Sequence, residues 1–146
     1  MKSVVQRVSK ANVKINGKVV GEIGKGIVVF LAVSKEDNDD TIKWMVNKLI
    51  NLRIFSDEND KMNRSILDIG GEILLISNFT LYGDAKRGYR PSFTESAPPE
   101  ISEPIYNKII QLMRSNYPIN IQTGEFGAMM DVELINDGPV TIIIDK

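Results

Sequence analysis

The chain of 146 residues contains neither cysteine nor histidine. Without thiols there is no disulfide, no thiolate nucleophile and no cysteine-based zinc site, a composition suited to a reducing compartment. Without imidazole the Ser-His-Asp and Cys-His machineries are excluded, and the commonest general base is missing. Any metal would have to sit on Asp, Glu, carbonyls and water; no cofactor and no catalytic metal is expected. Long apolar runs are also lacking, and nothing approaches the ~20 residues that cross a bilayer. The opening Met1-Lys2-Ser3-Val4-Val5-Gln6-Arg7 turns polar too early for a signal peptide, so a cytoplasmic protein without membrane association is expected. An excess of positive charge is absent as well. The formal net charge of −1 argues against a broad basic surface for nucleic acid and confines any RNA contact to a local patch.

What is present fits one domain over residues 1–146, long enough to bury roughly 70% of the surface an unfolded chain exposes. Val4, Val5 and Val8, then Val13 and Ile15, read as strand, and Asn16-Gly17 is a two-residue hairpin turn before Lys18 to Ile23. The run Ile27 to Val33 is apolar throughout and short, as in a strand covered on both faces. The Asp37 to Asp40 cluster supplies an N-cap and favourable charge to a helix carrying Ile42, Met45, Val46, Leu49 and Ile50 at helical spacing. Two strands follow, Ser65 to Ile69 and Glu72 to Ser77, separated by Gly70-Gly71. Gly83 to Pro99 is a long loop holding the cations Lys86, Arg87 and Arg90. Pro98-Pro99 opens a second helix marked by Ile101, Ile105, Ile109, Leu112 and Met113, and Pro118 stops it. Alternation at Ile119 and Ile121, then at Met130, Val132 and Leu134, and the apolar Val140 to Ile144 close the chain in strands. Strand runs interrupted by two main helices predict an α+β fold, mostly antiparallel sheet forming a barrel-like or sandwich core.

Two segments hold chemistry. Ser77-Asn78-Phe79-Thr80-Leu81 sets two hydroxyls and an amide at the end of a buried strand, a cluster able to orient a carbonyl and a water. Read alone, it is equally a set of hydrogen-bonding groups that finish a strand. Asn136-Asp137-Gly138-Pro139-Val140-Thr141 looks first like a turn between two strands. Because Pro139 has no N–H and Gly138 is conformationally free, its carbonyls are also candidates to point into a cavity.

Taken together and in this order, the two segments resemble the signatures of the D-aminoacyl-tRNA deacylases, Ser-Gln-Phe-Thr-Leu and Asn-x-Gly-Pro-Val-Thr. The resemblance extends to Val5-Gln6-Arg7-Val8, Asn51-Leu52-Arg53-Ile54-Phe55, Arg90-Pro91-Ser92-Phe93 and the stretch from Thr123 to Val132. One departure is Asn78, which keeps the amide of the family's Gln but loses a methylene.

The resemblance implies a homodimer that hydrolyses the ester joining a D-amino acid, and also glycine, to the terminal ribose of tRNA. Thr80, Ser77 and Phe79 would then be the catalytic segment, the hydroxyls lining the carbonyl and backbone N–H groups near Phe79 and Thr80 receiving the oxyanion. Gly138 and Pro139, joined by a cis bond in the family, would reach into the partner subunit's pocket and hold the substrate's α-amino group. Arg7 would support that loop, while Asn78, Phe126, Met129 and Met130 would complete the substrate pocket. Lys86, Arg87 and Arg90 would meet phosphates at the acceptor end of tRNA. Two alternatives are an editing deacylase acting on an L-aminoacyl-tRNA and a non-catalytic RNA- or nucleotide-binding dimer.

Overall fold

The computed structural model describes residues 1–146. Strand β1 (Lys2–Ile15) turns through Asn16 and Gly17, at φ 51° and 77°, into β2 (Lys18–Ile23). Paired positive φ values make the turn whose twist matches that of the strands it joins. β3 (Gly26–Ala32) returns antiparallel to β1, from Lys2 opposite Ala32 to Val8 opposite Gly26. One edge of β1 therefore serves two partners, β3 along its first half and β2 along its second. Its other edge is occupied by β8 (Asp131–Asp145), antiparallel from Lys14 opposite Asp131 to Lys2 opposite Asp145.

Two parallel pairings continue the sheet, and each has a helix in its connection, as parallel neighbours require. Helix α1 (Asp39–Asn51) and the small hairpin of β4 (Phe55–Ser56) and β5 (Met62–Arg64) lead to β6 (Glu72–Ser77), beside β3. Helix α2 (Pro99–Asn116) leads to β7 (Ile121–Thr123), beside β6. Asn38 caps α1 by accepting from the backbone N–H of Asp40 and Thr41 at 3.0 and 3.1 Å. The strand order is β2-β1-β3-β6-β7, with β8 on β1. The two ends of that path nearly meet: a Cβ on Gly21 of β2 would lie 2.7 Å from the Thr123 carbonyl of β7. The sheet is thus curled almost into a barrel.

Two apolar clusters fill the fold. Outside the curl, Ile27, Val29, Ile73 and Leu75 pack under Met45 of α1 and Ile109 of α2. Inside it lie Val8, Val13, Val28, Leu74 and Ile76. β3 and β6 are therefore covered on both faces, the arrangement predicted from the unbroken apolar run of β3. No helix is long and apolar enough to cross a membrane.

The α+β class, the two main helices and the barrel-like sheet stand. Two local expectations do not. Ser65 to Ile69 is a turn, because Asp68 accepts from both the N–H and the hydroxyl of Ser65 at 2.8 Å and ties the chain locally. Asn136 to Thr141 does not separate two strands; it is a bulge within the single long strand β8.

Candidate functional site

A cavity of about 730 Å³ opens where the parallel strands β3 and β6 end, bounded by Phe30, Ile76, Phe93, Phe126, Met130 and Val132. Its polar side chains are Ser77, Asn78, Ser96 and Ser102, and none of the nineteen lining residues is ionisable. The lining offers hydrogen bonds and shape, but no side chain that exchanges a proton near neutral pH.

Ser77 is the last residue of β6, and the chain passes directly into a 3₁₀ turn, Phe79–Tyr82. The backbone N–H of Asn78 donates to Leu31 O at 2.8 Å and fastens the start of the turn to β3. Thr80 is exposed and stands outside the cavity lining; its hydroxyl donates to Asn78 Oδ1 at 2.5 Å. With that oxygen engaged, Asn78 offers a ligand its N–H pair. The Asn78 side chain does not cap the turn, so the first N–H groups, those of Phe79 and Thr80, are without an intrahelical acceptor. The Phe79 ring is 55% exposed and meets Phe93 edge-on, centroids 5.3 Å apart.

Across the cavity, Phe126 packs against Tyr106 at 5.9 Å between centroids. The Tyr106 hydroxyl donates to Leu75 O at 2.8 Å, and burial pushes its pKa up. Tyr82, at the end of the 3₁₀ turn, is likewise pushed up by burial, to about 12. Met130 folds over Gly124, whereas Met129 stands at the rim, 92% exposed.

The second motif is built from β8. Gln6 opposes Thr141 and Val8 opposes Asn136, so Asp137 to Val140 bulge out across from Arg7 alone. Arg7 holds the bulge from below, its Nε donating to Asp137 O at 2.9 Å and its Nη1 to Ile54 O at 2.7 Å. Asn136 clasps the base of the bulge: Oδ1 accepts from Val140 N at 2.7 Å, and Nδ2 donates to Thr141 Oγ1 at 3.1 Å. The Gly138-Pro139 peptide is cis and Gly138 has φ 140°.

Within one chain the structure gathers Ser77, Asn78, Phe79, Phe126, Met129 and Met130 around one cavity. It leaves Arg7, Gly138 and Pro139 outside that cavity, and Thr80 beside it. Lys86, Arg87 and Arg90 are exposed in the loop after the 3₁₀ turn and form no ion pair. Sequence reasoning missed Ser96 and Ser102. They come from the loop and from α2, where only the approach of α2 to the strand ends brings them to the cavity.

Comparison with known proteins identifies the family of the chain. A sequence model described as D-Tyr-tRNA(Tyr) deacylase matches residues 4–145. The chain is 53% identical to the D-aminoacyl-tRNA deacylase of Thermosipho africanus over 146 residues, 100% of this chain and 97% of the relative. The corresponding protein of Fervidobacterium nodosum is 54% identical with the same coverage. A solved structure described as a c-Myc DNA unwinding element binding protein is 42% identical, with a TM-score of 0.95 over 100% of this chain and 99% of the other. Another, described as a probable eukaryotic D-amino acid tRNA deacylase, shares the fold at 18% identity, with a TM-score of 0.83 over 99% and 98% of the two chains. The match along nearly the whole length, joined to both signature segments in folded context, makes this chain a member of the D-Tyr-tRNA(Tyr) deacylase family.

Proposed function

We propose that the chain, as one domain over residues 1–146, hydrolyses the ester between a D-amino acid and the terminal ribose of tRNA, releasing the free amino acid and the tRNA. It works in the cytoplasm as a homodimer whose sites are shared between subunits. The observation that carries this reading is a cavity with polar groups and free backbone donors but no ionisable side chain. An aminoacyl ester is already activated towards water, and its cleavage needs orientation and a polarised carbonyl more than a strong base.

Ser77 and Asn78 line the carbonyl, with Thr80 fixing the amide of Asn78. That amide, one methylene shorter than Gln, acts from further back. Backbone N–H groups of Phe79 and Thr80 receive the charge that develops on the carbonyl oxygen. Water adds to the carbonyl carbon, the bond to the ribose oxygen breaks, and that oxygen takes up a proton. The 2′-hydroxyl of the terminal adenosine assists the attack. Phe79, Phe126, Met129 and Met130 shape the adenosine pocket.

Chirality is set by the partner subunit's Gly138-Pro139 carbonyls, which hold the α-amino group. A D side chain then points to solvent, an L side chain collides with those carbonyls, and glycine passes. Arg7 and Asn136 fix the bulge, which takes no part in lining its own chain's cavity and is therefore available to another subunit. Ile143, 76% exposed and opposite Val4 in register, and the exposed Phe79 supply apolar surface that a second copy covers. Lys86, Arg87 and Arg90 meet phosphates of the acceptor end, few enough for a shallow salt dependence.

The test is release of D-Tyr from D-Tyr-tRNA against L-Tyr from L-Tyr-tRNA, with and without a chelator. Chelator-insensitive loss of D-Tyr alone is expected; equal loss of both, or of neither, would overturn the reading. Loss of L-Ser from L-Ser-tRNA instead would identify an L-specific editing enzyme. The exposed aromatic and cationic rim also favours a second reading, a nucleic-acid-binding dimer without turnover, in keeping with the description of the 42% identical structure. Binding of tRNA without cleavage, unchanged in Thr80→Ala, would support it.

A further inference from the structure

The loop between the 3₁₀ turn and α2 is fastened at its base and free at its tip. Asp84 N donates to Ser92 O at 2.8 Å and Ser92 N to Asp84 O at 2.9 Å, closing residues 85–91 into a small finger. Phe93, the next residue, lines the cavity against Phe79, and Lys35 Nζ donates to Thr94 O at 2.9 Å. The finger therefore stands at the cavity mouth on a fixed footing. Its tip carries Lys86, Arg87 and Arg90 with no acid among residues 85–91 and no ion pair to any of the three. Between them Tyr89 is fully exposed, at 106% of its reference area, and its ring packs on no other aromatic.

A single exposed apolar residue needs no explanation. A flat ring held among three unpaired cations at the edge of a nucleotide-sized cavity has the composition of a stacking platform for single-stranded nucleic acid, in which the ring takes a base face and the cations take the backbone. Tyr89 lies three positions before Ser92, so its Cα stands at most about 10 Å from the bridge. At ~3.4 Å per stacked nucleotide, that spans roughly three nucleotides. Resting on the deacylase reading, we propose that Tyr89 stacks on an unpaired base of the tRNA strand just before the terminal adenosine, gripping the acceptor end independently of the amino acid. Because every base has a π-face, this contact strengthens binding with little regard to sequence.

The experiment compares wild type, Tyr89→Ala and Tyr89→Trp on two substrates, D-Tyr-tRNA and the D-tyrosyl ester of adenosine, which lacks the preceding nucleotides. Tyr89→Ala is expected to raise KM for D-Tyr-tRNA about five-fold or more with kcat unchanged, to leave hydrolysis of the adenosine ester alone, and to be rescued by Tyr89→Trp. The affinity of uncharged tRNA, read by fluorescence anisotropy, should weaken by the same factor. This measurement holds whether or not the ester is cleaved, so a failed deacylase reading and a failed stacking contact are told apart. Wild-type affinity in Tyr89→Ala would overturn the proposal. An equal loss on both substrates would overturn it in favour of a structural role.

Discussion

In the proposed mechanism Thr80 and Asn78 form a short polar pair in the place usually given to a charged one. The Thr80 hydroxyl engages Asn78 Oδ1 at 2.5 Å, and a hydrogen bond of this kind contributes about 1 kcal/mol. Thr80→Ala should therefore lower kcat on D-Tyr-tRNA by roughly five- to ten-fold, while Thr80→Ser, which keeps the hydroxyl, should retain most of it. If instead Thr80 were itself the nucleophile, single-turnover kinetics would reveal an acyl-enzyme and Thr80→Ala would be inert. The lack of ionisable groups in the lining has its own signature. Neither nearby tyrosine ionises in the working range, since burial raises both phenols, Tyr82 to about 12. We expect kcat to show one ascending limb between about pH 6 and 8, set by substrate and water; a bell in that range would require a general acid from the protein. Stability behaves differently. A phenol harder to ionise folded than unfolded stabilises the native state fully below the ordinary value of 10.0, and that contribution is lost as pH rises through about 12. Alkaline titration followed by circular dichroism checks it.

Among the elements, the junction of β3 with β6 tolerates the least change. A Cβ on Gly26 would fall on the backbone of Glu72, including its carbonyl oxygen, and no rotamer can move backbone aside. Gly26→Ala should destabilise by about 3 kcal/mol or more, read as a lowered urea midpoint, and the displaced end of β3 should carry the cavity with it. Local signals made several elements legible beforehand. Asn16-Gly17 dictates its turn, Asn38 caps α1, Pro98-Pro99 opens α2, and the apolar run of β3 records burial on both faces. What escaped is set by distant partners or by side chains that tie the chain locally. Ser65 to Ile69 has the composition of a strand, but Asp68 claims Ser65. The closing of β2 towards β7 rests on Gly21 facing Thr123 O, residues with no local pattern in common. The candidate cavity was legible in part for the same reason as the local elements: Ser77, Asn78 and Phe79, which line it, are contiguous. Asn136 to Thr141 looks like a turn in sequence because Gly and Pro say only that the chain bends, and pairing with β1 decides that it bulges.

For the molecule as a whole, the separation of the two motifs ties the proposed activity to the proposed assembly. If the Gly138-Pro139 bulge serves another subunit's cavity, a monomer holds both halves of the site yet completes neither. Ile143→Lys places a charge on the exposed apolar surface of β8, where burying it against a second copy is costly. The variant should sediment as a folded monomer with a wild-type far-UV spectrum, and its D-Tyr-tRNA hydrolysis should fall about a hundred-fold, the scale set by losing a positioned group. A monomer with full activity would show that one chain suffices.

The position of β1 carries a temporal consequence. β1 ends at Ile15 and its full-length neighbour β8 begins at Asp131, so one edge of β1 waits for a strand made much later. At 5–20 residues per second the gap lasts roughly 6–23 s, during which β1, β2 and β3 can join locally while the row of N–H and C=O groups reserved for β8 stays bare. Such a row recruits any strand that comes near, and on a crowded polysome the nearest is the same segment of the next nascent chain. The alternating Lys10, Asn12 and Lys14 near the far end of β1 put polar and charged side chains on that stretch of the waiting edge, where they discourage such pairing until the proper partner emerges.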